Sequence, residues 1–295
     1  GSVMAPDKLP PLSSSMYSEI TKCRISGSPN LVTVLSLGEQ FLTGVFPKSP
    51  TEPLSKGPLD LVWCPDSGLL QMKQSYSLEE MYGDNYGYRS GLNGSMVRHL
   101  QQKIATLERL VRPSADDWVI DIGSNDATSL KAYTATKQRV RIDPTGTKFK
   151  DYYVDGIRLI PDFFTAAAFQ REFPGVKAKI VTAIAMFYDL ERPMDFVKDI
   201  EAVLADDGIW HFEQSYMPAM LRTNSYDTIC HEHVEYYALD PVKRMLEHER
   251  VAEGFVERLL ARTRAWSYGD PMNVDNDMGT VIDEARRTHP GLEFQ

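Results

Sequence analysis

Cysteine is scarce: Cys23, Cys64 and Cys230 are the only three in 295 residues, too few and too scattered for a disulfide framework. No apolar run approaches the roughly 18 residues that a membrane span needs, and no charged-then-apolar leader is read at the start. Basic charge is in deficit too, with 32 Lys and Arg against 41 Asp and Glu and a formal net charge of -9. A protein that coats nucleic acid draws its affinity from neutralised phosphates, so this balance excludes that class. The absences together predict a reduced, cytoplasmic chain with no membrane and no nucleic-acid partner, acting on a small-molecule substrate. What is present is core-forming material: 42% hydrophobic and 10% aromatic residues can bury one substantial core or two modest ones.

Residues 1–16 are rich in Pro and Ser without apolar periodicity and predict a disordered lead. Residues 17–76 carry short apolar runs punctuated by Gly and Pro, the pattern of a small β-rich module. Over 77–115 the sequence turns helical, with Leu100, Ile104, Leu107 and Val111 at helical spacing. From 116 to 245, candidate strands at 118–122, 139–143, 157–161, 179–186 and 208–215 alternate with helices. One of these helices is bracketed by Pro193 and Gly208. Alternation of this kind predicts an α/β domain built on a Rossmann-like parallel sheet covered on both faces. Residues 246–295 read as an atypical helical segment.

In such a sheet the ligand lies beyond the carboxyl ends of the central strands, where the strand order reverses. The first strand-to-helix turn is Asp121-Ile122-Gly123-Ser124-Asn125-Asp126, and Asp143 follows at the end of the second strand. Gly123 lets backbone approach a ligand, and Asp143 is placed to accept hydrogen bonds from two ribose hydroxyls. Asp121 and Asp126 would repel a pyrophosphate but suit the cationic sulfonium and ammonium of S-adenosylmethionine, so the methyl donor is preferred to a nicotinamide cofactor. Asp126 also reads as a helix N-cap, and the two roles are compatible.

The motifs VIDIGSNDATSL, RIDPT, TAIAMFYDLE, IWHFEQSYMPAML and NSYDTICHEHVEYYAL occur in order, preceded by CRISGSPNL, LVWCPDSGLLQM and NYGYRSGLNGSMVRHL. Over residues 17–245 the chain resembles the S-adenosylmethionine-dependent C-methyltransferases of nucleotide-linked deoxysugars. The resemblance implies a class I methyltransferase sheet behind a zinc-binding module. It also implies a donor site of Gly123, Asn125, Asp126 and Asp143, with Asp162 and Phe163 near the adenine and Met186 at the end of the fourth strand. Ala127 departs from the family's usual glycine, and its methyl would narrow the turn.

Cys230-His231-Glu232-His233 is the densest titratable cluster in the chain. Its His-Glu-His spacing resembles a metal site only superficially, since helical ligands need a separation of three or four and strand ligands, two apart, need a third from elsewhere, so no metal is expected there. The resemblance implies that His233 is the general base, Glu232 its assistant and His231 a substrate contact. Cys230 stands where some members of that family have tyrosine, so a phenol there is absent. A base of this kind would remove a proton α to a ketone so that the sugar carbon can attack the methyl group. Tyr86 and Tyr88 are candidates to face the same cleft, with ordinary linker packing as the alternative. Glu213, Gln214 and Tyr216 follow the fifth strand towards it, with Gln214 expected to touch substrate.

The module's Cys23-Arg-Ile-Ser26 and Cys64-Pro-Asp-Ser67 each keep one thiol of a Cys-x-x-Cys pair. Serine is a poor zinc ligand, so the module is expected to hold no zinc and to rely on its own apolar core, the alternative being a site completed by a distant histidine. Past Met245 the match fades, and residues 248–287 resemble an internal piece of an aldehyde dehydrogenase too short to work. Without the family's closing strands and carboxyl-terminal domain a sheet edge would be exposed, for the new helix or a homodimer to cover. The reading is therefore a sugar C-methyltransferase. The alternatives are a catalytically silent donor-binding or assembly protein and a small-molecule O- or N-methyltransferase.

Overall fold

The computed structural model describes residues 16–42, 49, 51–52, 54–77, 91, 93–146 and 156–248. The lead, Tyr86, Tyr88 and the dehydrogenase-like stretch beyond His248 lie outside the described residues. The amino-terminal part supplies β1 (Tyr17–Glu19), β2 (Val32–Phe41), β3 (Lys56–Trp63), β4 (Leu70–Met72) and β5 (Gln74–Tyr76), followed by α1 (Gly94–Val111). The remainder contains β6 (Trp118–Ile122), α2 (Thr128–Lys131), β7 (Gln138–Ile142), β8 (Ile157–Ile160), α3 (Ala166–Glu172) and β9 (Ala178–Ile184). It continues with α4 (Pro193–Val203), β10 (Leu204–Glu213), α5 (Met217–Thr223), β11 (Glu235–Tyr236) and α6 (Leu239–His248).

Asn93 caps α1, its side chain accepting from the amides of Ser95 at 3.0 Å and Met96 at 3.4 Å. The helix buries Leu100, Ile104 and Leu107 along one stripe and ends at a left-handed Arg112, beyond which Pro113 cannot continue it. The Glu108 carboxylate fastens this helix to the next turn by accepting from the amides of Thr134 at 2.8 Å and Ala135 at 2.7 Å.

The main sheet is parallel throughout, in the order β10-β9-β6-β7-β8. This is the Rossmann-like sheet that the alternating pattern predicts. The chain winds outwards from β6 to β8 and then crosses back to β9, so the switch point lies between the carboxyl ends of β6 and β9. The expectation for Gly208 is corrected: α4 ends at Val203, and Gly208 sits inside β10 beside a register shift between Leu204 and Ile209. A Cβ on Gly208 would stand 2.7 Å from the Ala178 carbonyl oxygen, which explains the glycine there by close strand approach, not by a helix end.

A second sheet has the order β11-β4-β3-β2, with β11 antiparallel to β4, while β1 and β5 form a separate antiparallel pair. The segment carrying the His-Glu-His cluster therefore returns to the amino-terminal sheet, with Glu235 opposite Gln71 and Tyr236 opposite Leu70. Cores follow the same rule. Cys23, Cys64 and Leu69 belong to one buried cluster with Ile120, Val181, Tyr237 and Leu246. Leu59, Leu61 and Met72 share another with Val234 and Tyr236. The module is thus held by cores it shares with the rest of the chain, which corrects the expectation of a core of its own.

Candidate active site

The turn after β6 is built from left-handed residues: Gly123 has φ +66°, Asn125 φ 51° and Ala127 φ 61°. Gly123 is required by close approach as well, since a Cβ there would come within 3.1 Å of the Met186 side chain at the end of β9. The two strand ends flanking the switch point thus meet through Gly123 and Met186. Asp143 ties the turn from the next strand. One of its oxygens accepts from the Asn125 amide at 2.7 Å, the other from the Thr145 amide at 2.7 Å and the Thr145 hydroxyl at 2.6 Å. The fully buried Arg141 donates to the Ser124 hydroxyl at 3.3 Å and to the Asn125 carbonyl.

Asp126 is buried and accepts from the Gly91 amide at 2.8 Å and the Thr128 hydroxyl at 2.6 Å. It therefore ties Gly91 to the turn after β6; the N-cap of α2 is Ala127, with no side-chain cap, which corrects the N-cap expectation for Asp126. Asp121 does not face outwards as its charge suggested. It is buried with one oxygen 2.5 Å from the Thr182 hydroxyl, and burial raises its carboxyl to about 7 against the pull of that hydrogen bond. The Ala127 methyl packs with Ile104, Leu107 and Leu130 behind the turn, which corrects the expectation that it narrows the ligand side. A left-handed alanine costs roughly 1 kcal/mol, and the buried methyl returns about 0.8 kcal/mol, so this departure from glycine is close to neutral.

Asp162 and Phe163 lie just past β8, both exposed, with the Asp162 carboxylate accepting from the Phe163 amide at 2.7 Å. Half of the Phe163 surface is open, so its ring can stack on a planar base at the carboxyl edge of the sheet. Gln214 and Tyr216 are half-buried after β10, and the Gln214 Oε1 is buried without a hydrogen-bond partner among the described residues.

Glu213 does not reach towards a ligand: its two oxygens lie 2.8 and 3.0 Å from His99 Nε2, and Lys103 pairs with it as well. Burial opposes the charge, but the His99 hydrogen bond and Lys103 overcome it and lower the carboxyl to about 2. Glu213 clamps α1 to β10. Because its folded value lies below the usual 4.5, its contribution is complete above about pH 4.5 and is lost as pH falls towards about 2. Urea unfolding across that range should show Glu213→Gln less stable than the wild type at pH 7 and equal to it near pH 2. A gap that stayed constant down to pH 2 would contradict the clamp.

His233 is half-buried, and its Nδ1 donates to the Thr228 carbonyl at 2.7 Å, which leaves the Nε2 lone pair for a proton. Its ring packs edge-on against Tyr188, with centroids 4.4 Å apart, and Tyr188 lies two residues beyond Met186. Glu232 stands beside it, its carboxyl raised by burial and opposed by the His233 charge. His231 is placed differently from the expected substrate contact. It is fully buried, 3.3 Å from the Gly57 carbonyl and edge-on to Tyr76 at 4.8 Å, so it anchors the turn to the amino-terminal sheet.

Sequence reasoning missed the main fastener. Arg24 has only 2% of its side chain exposed; it lies 3.3 Å from Glu191 and 3.9 Å from the fully buried Glu235, and donates to the Met72 carbonyl at 2.6 Å and the Ser75 hydroxyl at 2.9 Å. A charged pair so distant in sequence leaves no local periodic signal. Burial pushes the Glu235 carboxyl well above the usual range, and Arg24 pulls against it.

The two Cys-x-x-Ser turns have the same form, the amides of Gly27 and Gly68 donating to the carbonyls of Cys23 and Cys64 at 2.9 and 2.8 Å. Cys23 Sγ lies 3.3 Å from Ser67 Oγ, and Ser26 Oγ lies 3.7 Å from Cys64 Sγ. Gln71 Nε2 adds a hydrogen bond to Cys23 Sγ at 3.2 Å. Two thiols and two hydroxyls closed by hydrogen bonds do not fit a structural zinc ion, which needs four thiolate or imidazole ligands.

Residues 23–82 match the family described as "Putative zinc binding domain". Over 233 residues the chain is 25% identical to the C-methyltransferase NovU of Streptomyces niveus, an alignment covering 77% of this chain and 55% of NovU. The chain is similar to this C-methyltransferase over that span. It spans about half the length of this C-methyltransferase relative. Residues 241–290 match the aldehyde dehydrogenase family, and all beyond His248 lie outside the described residues. Among solved structures, the chain is similar to the YcgJ protein of Bacillus subtilis, with 17% identity, a TM-score of 0.41, and 63% of this chain and 87% of that one covered. It is also similar to the plantazolicin methyltransferase BpumL in complex with a triazolic desmethylPZN analogue and SAH, with 11% identity, a TM-score of 0.42, and coverage of 68% and 84%. The fold assignment itself stands on strand order and direction.

Proposed function

We propose that the chain is an S-adenosylmethionine-dependent methyltransferase acting on a carbon of a nucleotide-linked keto-deoxysugar. One observation carries the reading. His233, with its tautomer fixed by Thr228, sits on Tyr188, two residues from the Met186 that packs on Gly123 at the switch point. These contacts, His233 on Tyr188 and Met186 on Gly123, support a base near a nucleoside-type turn. Gly123, Asn125 and Asp143 would hold the donor, with Asp162 and Phe163 at its adenine end and Met186 as a wall. Asp143 at the carboxyl end of β7, tied to the Asn125 amide, supports a nucleoside donor whose ribose hydroxyls it would accept from. When bound, the donor supplies an electrophilic methyl group on a sulfonium.

His233 Nε2 takes the proton α to the sugar ketone, and Glu232 steadies the resulting imidazolium. The buried Gln214 Oε1, without a hydrogen-bond partner among the described residues, is left to accept from a substrate hydroxyl. Tyr86 and Tyr88 remain part of this proposal as cleft residues, on sequence grounds alone. Incubation with methyl-labelled donor and a panel of keto-deoxysugar nucleotides tests the reading, and label in a carbon-bound methyl of one acceptor is the expected result. A donor-binding protein without transfer, the alternative reading, predicts unlabelled acceptors throughout.

A further inference from the structure

We propose that Cys230, Glu232 and His233 form a site for a single borderline-soft divalent ion of the zinc class, and that occupation of this site silences the base. One ligand atom from each side chain lies within 4.8 Å of the other two. Helical and strand spacing argued against a metal here, but residues 230–233 form neither. They make a turn closed by the His233 amide donating to the Cys230 carbonyl at 3.2 Å, which folds positions three apart onto each other. Ligand-to-ligand separations in a tetrahedral zinc site follow from bonds of roughly 2.0–2.3 Å and come to about 3.5 Å, so closure needs side-chain shifts of about 1 Å.

The surroundings favour metal over proton. His233 Nδ1 donates to the Thr228 carbonyl, as a metal-bound imidazole does to a backbone carbonyl, which leaves Nε2 as the nitrogen for a metal. The Glu232 Oε1 is buried without a hydrogen-bond partner among the described residues. A thiolate, an imidazole and a carboxylate together select zinc or cobalt over magnesium or calcium, and three protein ligands leave a fourth position open. On binding, the Cys230 thiol releases its proton to solvent and a sulfur–metal bond forms, with no change of oxidation state. The ion then occupies the Nε2 lone pair and places two positive charges beside the sulfonium site. That inhibitory consequence rests on the proposed function, whereas binding does not.

Cobalt titration of the full chain tests it, because a thiolate–cobalt bond gives a near-ultraviolet charge-transfer band whether or not the chain transfers methyl groups. The expected result is a band saturating at one equivalent, displaced by zinc, abolished in Cys230→Ala and retained in Cys23→Ser. His233→Ala should weaken binding by more than about 100-fold, beyond what loss of an outer hydrogen bond costs. Unchanged urea midpoints for the variants establish that loss of the band is not loss of the fold. Absence of a band in the wild type, or a band that survives Cys230→Ala and disappears in Cys23→Ser, overturns the proposal.

Discussion

His233→Ala should lower methyl transfer by about a hundred- to ten-thousand-fold, the range a positioned general base contributes, while binding of S-adenosylhomocysteine stays within a few-fold. The asymmetry follows from placement. The imidazole hangs on Thr228 and Tyr188, outside the hydrogen bonds that build the donor turn from Gly123, Asn125 and Asp143. Labelled-donor turnover and calorimetry on the same preparation separate the two effects. Equal loss of both would mean that the ring supports the fold, and full activity would remove it from the base role.

Arg24→Met should destabilise the chain by about 3–5 kcal/mol, the cost of removing one partner from a buried ion pair. The guanidinium sits in the amino-terminal part, yet its contacts reach Glu191 after β9 and Glu235 in β11. Without it the Met72 carbonyl loses a donor at 2.6 Å and the fully buried Glu235 loses its counter-charge. Adding Glu235→Gln should recover part of the loss, because the residual cost of a buried carboxylate disappears. Urea midpoints of the three variants measure this. A loss below about 1 kcal/mol, the range of a surface pair, would show that Arg24 does not fasten the two sheets.

The parallel strands β6 to β9 were legible because strands buried on both faces read as short apolar runs, and each lies within two residues of its expected span. The start of β10 was not, because Leu-Ala-Asp-Asp-Gly mimics a helix end, while the shift between Leu204 and Ile209 depends on the neighbouring strand. The turn after β6 and its tie to β7 were legible from Gly123 and Asp143. What could not be read was the direction in which its acids point, since the burial of Asp121 is set by Thr182, 61 residues away. The division of labour within the His-Glu-His cluster was hidden for the same reason. His231 is assigned to packing by Gly57, 174 residues earlier, and Arg24 meets Glu191 across 167 residues. Local periodicity reports which face is apolar, not which distant carbonyl or charge will lie against it.

The most direct test of the account is calorimetric titration of the folded chain with S-adenosylhomocysteine. The switch-point turn predicts saturable binding of one ligand per chain, weakened when Gly123→Val drives a side chain into Met186. A folded chain that takes up no ligand would contradict the donor site, and with it the methyltransferase reading.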